Sequence, residues 1–379
     1  AYTIFREQVS GLEYIRSNRE IHEKGLYFEL EAYKCQVLLD FRQVYDNEWH
    51  QYAQLVEYLN GRGVPSVEEA LKEIFLQPIH NAFRELVNAG FFRWIITNRA
   101  IKAGQSAEGV GQLDEMLEQA EDRTAHLLSE IKRITQGQGD VLAIAAEIKQ
   151  TLAAATHLPI LAKTHPLPNS RKFQAAIKYL HAGDLRRSPW TDGNASTWGT
   201  LLGWLFTQAL GKAITEDGYA EISRSWIDEW LLNKLVASAL VGLGLDERQA
   251  WHTVSLIKLL AAHHEWWQMP QKASLKKKPS TKDAAYQLLI TLLGEAEAQA
   301  YLGVNRYQDV LWYNQEAFDE LLWWLYITAA VDLTTATEQT AQLAAERLQA
   351  CHDVIKQLQK AEKASDFQIE KLLEAVKGS

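Results

Sequence analysis

The sequence predicts a mainly α protein, a multi-helix bundle or array preceded by a short remnant of an antiparallel β-sandwich. Three observations lead there. In "GLYFELEAYKCQVLLDF" (25–41), Phe28 and Leu30 alternate with charged neighbours, and Cys35, Val37, Leu39 and Phe41 alternate across the next run. That period of two marks strands with one buried face. After Phe41 the period becomes helical, with Trp49, Tyr52, Leu55, Val56 and Leu59 on one side of 47–60. Further on, 198–214, 226–242 and 250–267 are apolar around most of their circumference, as helices in the middle of a bundle are.

"YTIF" (2–5) and "GLEYI" (11–15) add two strand candidates ahead of that stretch, and the chain starts at Ala1 without an initiator methionine. So small a sheet is marginal unless its apolar face is covered, and its outer strand exposes unpaired backbone groups. The expectation is a β-domain whose remaining strands lie upstream. It gives two regions: 1–45, the end of an incomplete sandwich, and 46–379, a helical extension with a candidate division at 157–170.

Within the extension, Ser66 and Glu69 are spaced as a capping box opening "VEEALKEIFL", and Pro78 is expected to end that helix. Helical packing continues to about Thr97. The Ala- and Glu-rich stretches 106–134 and 140–156, joined by "TQGQGD", predict an αα-hairpin. "HLPILAKTHPLPNS" (157–170) holds three prolines and predicts a linker. Gln271–Lys282 predicts a polar, basic loop, Asn314 an N-cap for a buried helix, and the last forty or so residues one amphipathic helix.

Composition sets limits on function. The chain has 379 residues, 47% hydrophobic, with net charge −9. That is enough for two or three domains, and it offers a polyanion little long-range attraction, so no nucleic-acid partner is expected. Cys35 and Cys351 lie at opposite ends, which predicts reduced thiols and a cytoplasmic setting. A leader upstream of Ala1 stays an open question. The longest apolar run, Leu321–Val331, is short of the roughly 18–20 residues that span a bilayer, so no membrane partner is expected.

Phosphate-loop, dinucleotide, nucleophile-elbow and "HExxH" signatures are absent, and no cofactor is expected. His263, His264 and Glu265 are consecutive, so on a helix they point about 100° apart and cannot close on one ion unaided. No metal is expected. Asp228 and Glu229 lie between Trp226 and Trp230, while Glu316, Asp319 and Glu320 precede Trp323 and Trp324. Acids beside rings suit sugar chemistry, but mid-helix spacing is also that of tryptophans facing a core and acids facing water. Lys276–Lys278 read as a solvated loop, and "NAS" at Asn194 is a glycosylation sequon that matters only in a secreted eukaryotic setting.

Residues 9–46 resemble the end of the β-sandwich in large bacterial proteins of the α-amylase family (glycoside hydrolase family 13). The pattern L-x-x-Y-x-x-x-V-L-L of the last sandwich strands is matched by Leu30, Tyr33, Val37, Leu38 and Leu39. "YLNGRGVPSVEEALKEIFLQPIHNAFRELVNAGFFR" and "LGVNRYQDVLWYNQEAFDELLWWL" are similar to the helical extension of one subset of that family. The family's catalytic motifs ("GxRxD", the acid glutamate, "NHD") have no counterpart here. The resemblance therefore implies a catalytic barrel upstream in the same polypeptide, no catalytic residue in this chain, and a structural or accessory role with α-glucan as the implied ligand. Arg306, Tyr307, Trp312 and Tyr313 combine flat rings with a polar group in a loop, which makes them candidates for an accessory glycan contact. The alternatives are a self-sufficient helical α/α-toroid glycosidase or lyase, and a helical protein-interaction scaffold. Oligomeric state is not legible.

Overall fold

The computed structural model describes residues 1–28, 30, 33, 35–46, 50–99, 107–161, 170–183, 195–268, 280–335 and 341–377. The fold is mainly helical, with a small antiparallel sheet at the N-terminus. Two compact units, Ala1–Asn81 and Ala82–Ser379, divide the chain. The boundary expected from the sequence lies at 45.

In the first unit, β1 (Tyr2–Glu7) lies between β2 (Glu13–Ser17) and β3 (Leu38–Val44). A short helix, α1 (Asn18–Lys24), follows β2. The two strands expected within 25–41 become one that starts at Leu38, and the described residues of 25–37 lie outside the strands. Within that strand a β-bulge resets the alternation. Leu39 pairs with Arg6 and Arg42 pairs with Ile4, the register shifting between them, and Asp40 takes a left-handed φ of 57°. An extra residue in one strand turns the side chains beyond it to the other face. Leu39 and Phe41 therefore part to opposite faces instead of sharing one, and both stay exposed, at 43% and 55%.

One sheet face is covered from within the unit. Ile4 and Ile15 pack on Leu55 and Leu59 of α2 (Gln51–Leu59) and Val67 of α3 (Val67–Phe75). On the other, Phe5 is fully buried by stacking on Tyr14 and Phe41 and meeting Phe28 edge-on. The buried Glu13 carboxylate accepts the Val67 N–H (2.9 Å) at the start of α3 and receives Arg42 and Arg6. Burial opposes its charge, but these donors hold its pKa below the usual carboxylate value. Ser66 caps α3 as expected, accepting from the Glu69 N–H at 3.2 Å. Asp46 accepts the N–H groups of Tyr52 and Ala53 at the start of α2. Trp49, expected on the face of α2, lies outside the described residues. α3 ends at Phe75, just ahead of Pro78 as expected, and Pro78 itself sits in the first turn of α4 (Gln77–Leu86), where its missing N–H has no helical partner to lose.

The second unit continues with α5 (Ala89–Asn98) and the αα-hairpin, α6 (Ala107–Thr135) packed against α7 (Val141–His157). The expected linker starts instead as core, since Leu158, Pro159 and Ile160 form a buried 3₁₀ turn. α8 (Arg171–Leu180) and α9 (Ala195–Thr207) follow, α9 being buried on all sides from Trp198 to Thr207. The helix expected at 226–242 is two, α10 (Tyr219–Glu229) and α11 (Leu232–Leu243), because Leu231 takes a left-handed φ of 57°. α12 (Glu247–His263) ends in a 3₁₀ turn, His264–Gln268. α13 (Thr281–Leu293) and α14 (Ala296–Tyr301) lead to a hairpin, β4 (Asn305–Tyr307) and β5 (Val310–Trp312). The buried α15 (Gln315–Thr335) is capped as expected, with the Asn314 side chain accepting from the Ala317 N–H at 2.9 Å. The last forty residues form two helices, α16 (Ala341–Ala364) and α17 (Ile369–Lys377), broken by left-handed φ angles at Asp366 and Phe367. Among the described residues no helix is long and apolar enough to cross a membrane.

Candidate functional site

In the second unit a buried lysine and a buried histidine, Lys212 and His264, meet three partly exposed acids, Glu147, Glu265 and Asp332. A pocket of about 280 Å³ is walled by α7 (Glu147, Thr151), the segment after α9 (Gln208, Lys212), the start of α10 (Tyr219), the 264–268 turn and the end of α15 (Asp332).

Backbone packing sets the position of Lys212. It lies on the 3₁₀ turn Leu210–Ala213, where the Gly211 N–H donates to Ser223 Oγ (2.8 Å) and that hydroxyl donates to the Tyr219 carbonyl (2.8 Å). From the other side the "TQGQGD" loop presses in, with the Gly139 N–H donating to the Ala213 carbonyl at 3.0 Å. A Cβ at Gly139 would collide with the Lys212 carbonyl, so glycine alone permits that approach. The Lys212 ammonium reaches both Glu147 carboxylate oxygens at 2.7 Å and lies 4.7 Å from the centre of the Tyr219 ring.

Opposite, the Tyr219 hydroxyl is 2.9 Å from His264 Nε2 and 3.2 Å from Glu265 Oε1. His264 Nδ1 is 3.2 Å from the Ala261 carbonyl. The Trp267 indole N–H donates to Asp332 Oδ2 at 3.4 Å. Burial first, then the nearby Glu265, Asp332 and Glu147 carboxylates, pushes the Tyr219 pKa far above that of a free tyrosine. Burial also lowers that of His264, outweighing the Glu265 charge. Asp332 is ringed by protein yet keeps a partial opening to the pocket. Burial, helped by Glu265 and Glu147, raises its pKa to about 8 against the Trp267 hydrogen bond, so at neutral pH it is a protonated acid and a hydrogen-bond donor.

Three carboxyl groups face one ammonium and an imidazole that burial holds neutral. An anion finds no surplus of positive charge here. A neutral, hydroxyl-rich molecule finds donors and acceptors together, beside the indole of Trp267.

Of the residues singled out from the sequence, His264 and Glu265 join this pocket and the others are dispersed. His263 turns away from His264, with its Nε2 2.9 Å from Glu295 Oε2. No group of three metal-ligating side chains comes together among the described residues. Asp228 pairs with Lys258, which also contacts Glu297, while Glu229 is exposed and Trp226 stacks on Trp230 at 3.8 Å. Glu320 accepts from the Tyr301 hydroxyl (2.9 Å) and faces His252, whereas Asp319, its pKa raised by burial, lies by Gln359 and Lys363. Lys276–Lys278 and Asn194 lie outside the described residues.

On the β4–β5 hairpin, Tyr307 and Trp312 share a face, since Trp312 pairs with Asn305 and Tyr307 with Val310. Tyr307 is 64% exposed, Arg306 projects from the opposite face, and the Trp312 indole N–H donates to the Tyr307 carbonyl at 3.4 Å. Tyr313 belongs to the core: it is 5% exposed, its hydroxyl 2.6 Å from Ser365 Oγ and its ring against Phe318 and Phe367.

Sequence reasoning passed over Glu147, Lys212, Tyr219 and Asp332. A signal existed for two of them. Lys212 interrupts "LLGWLFTQALGKAI" and Asp332 closes "LLWWLYITAAVD", and a lone charge in an apolar run is costly unless it has a task or a partner. No family model, no curated protein and no solved structure matches this chain.

Proposed function

We propose that this chain is the non-catalytic C-terminal helical region of an α-amylase-like, α-glucan-active protein, and that it holds a sugar unit in the pocket between Lys212 and Asp332. The observation that carries the reading is the chemistry of that pocket. Its charges disfavour anions, its protonated and ionised acids offer donors and acceptors to hydroxyls, and Trp267 offers a ring to the C–H face of a sugar. At about 280 Å³ it lies at the small end of ligand sites, suited to one ring and not to a chain. The resemblance of residues 9–46 to the family's sandwich supports the α-glucan context, and the missing barrel motifs support a role other than chemistry.

Titration with glucose, maltose and trehalose, followed by calorimetry and tryptophan fluorescence, tests the reading. Binding at a Kd of about 1 mM, lost in Trp267→Ala and Asp332→Ala, is the expected result. No saturable binding up to roughly 50 mM, or binding that both variants keep, overturns it. The intact chain is expected to release no reducing sugar from starch, maltodextrin or trehalose.

One observation favours a second reading, a self-sufficient helical glycosidase or lyase. Glu265 and Asp332 come from the ends of elements and face a common pocket, as acids do when they serve chemistry. Reducing sugar released by the wild type and lost in Asp332→Asn would favour that reading over the accessory one.

A further inference from the structure

In the pocket the donors are engaged and one acceptor is left over. The Lys212 ammonium reaches both Glu147 oxygens at 2.7 Å and stands over the Tyr219 ring, with the exposed Glu216 carboxylate 3.9 Å away. His264 Nδ1 faces the Ala261 carbonyl at 3.2 Å. A carbonyl only accepts, so Nδ1 carries the imidazole hydrogen and Nε2 a lone pair. That lone pair, at 2.9 Å, and Glu265 Oε1, at 3.2 Å, compete for the one hydrogen of the Tyr219 hydroxyl. Among the described residues no donor reaches the second oxygen of Glu265.

The charges leave the same group unmatched. Glu147 and Lys212 neutralise one another, and burial keeps His264 neutral against the pull of Glu265. Burial, reinforced by Glu265 and Glu147, keeps Asp332 protonated at neutral pH. What remains inside is the negative charge of Glu265, with no cation beside it among the described residues.

Without a ligand, Glu265 is partly exposed and water meets its needs. A ligand that fills the 280 Å³ expels that water and has to supply the hydrogens itself. A sugar hydroxyl donates one hydrogen but leaves the charge uncompensated. A protonated amine brings three N–H donors and the opposite charge, and such charge-assisted hydrogen bonds are roughly twice as strong as neutral ones. The remaining lining still suits hydroxyls and a ring: the Asp332 carboxylic acid, the Gln208 and Gln268 amides and the Trp267 indole. Resting on the reading of this pocket as a sugar site, we infer that its ligand is an amino sugar, with the ammonium seated on Glu265 and the ring and hydroxyls beside Trp267 and Asp332.

Calorimetric titration of the full chain with glucose, glucosamine and 6-amino-6-deoxyglucose tests this, at about pH 6 so that both amines are protonated. At least one amino sugar should bind about tenfold more tightly than glucose, and the advantage should disappear in Glu265→Gln. Amino sugars that bind no more tightly than glucose, or an advantage that Glu265→Gln retains, overturn the inference. Should Glu265→Gln fail to fold, the wild-type ratio decides, because equal affinities leave no ammonium site. Cyclohexylamine, a ring with an ammonium and no hydroxyls, separates the two proposals. Glucose binding with no gain from an amine keeps the sugar and removes the ammonium. Cyclohexylamine binding as tightly as the amino sugars, with no binding of glucose, keeps the ammonium site and removes the sugar. Saturable binding of none of the four overturns both.

Discussion

At the scale of single residues, the pocket is held by a few charges that the core would otherwise reject. Lys212 is buried and paired with Glu147, whose side chain is about half exposed. Lys212→Met leaves that carboxylate beside water, so the loss should fall near the low end of a broken pair, about 1–2 kcal/mol by urea unfolding. A loss within about 0.5 kcal/mol would show that the pair is not structural. Asp332 gives a pH signature. Unfolded, it releases its proton near 3.8; folded, it keeps it to about 8. Between those values the folded state holds the additional proton, so stability falls as pH rises, by at most about 1.4 kcal/mol per unit. Below the lower value and above the higher one the slope from this group vanishes. Asp332→Asn should therefore gain stability over the wild type progressively from about pH 4 to about pH 8 in paired urea melts. Parallel curves would rule the buried acid out.

At the scale of elements, the loops carry the geometry. "TQGQGD" reads as a connection, and so it is, but its glycines are there for the turn it touches. Gly139→Ala should force the loop off the Lys212 carbonyl and cost about 1–3 kcal/mol. The exposed Gln138→Ala beside it should stay within about 0.5 kcal/mol. Thermal melts of the pair measure this, and equal effects would count against the close approach. The β4–β5 hairpin divides in the same way. Tyr313→Phe removes a hydroxyl held by Ser365 and should cost about 1 kcal/mol. Tyr307→Ala, on the open face, should leave the melting temperature nearly unchanged. The reverse order would mean that Tyr313 is not part of the core.

At the scale of the whole molecule, the first compact unit takes α2 and α3 along with the sheet. A chain starting at residue 46 keeps Leu55, Leu59 and Val67 but loses Ile4 and Ile15, against which they pack. It should bind more of a hydrophobic dye than a chain starting at Gln77, where α4 begins. Equal dye binding would show that α2 and α3 do not depend on the sheet.

By itself the sequence determined the helical class, the αα-hairpin, the caps at Ser66 and Asn314, and the first two strands, because each follows from local periodicity or a local hydrogen bond. Only the tertiary structure decided where β3 lies and which way its side chains face, since one bulge at Asp40 resets the alternation. It also decided where Gly-independent breaks fall, at Leu231 and at Asp366–Phe367. The assembly of the pocket belongs to that second class. Its members are spread from Glu147 to Asp332, and sequence spacing carries no information about groups that meet only when five separate elements pack. That His263 and His264 diverge follows from helix geometry alone, but their partners, Glu295 for one and Tyr219 for the other, were settled only by the fold.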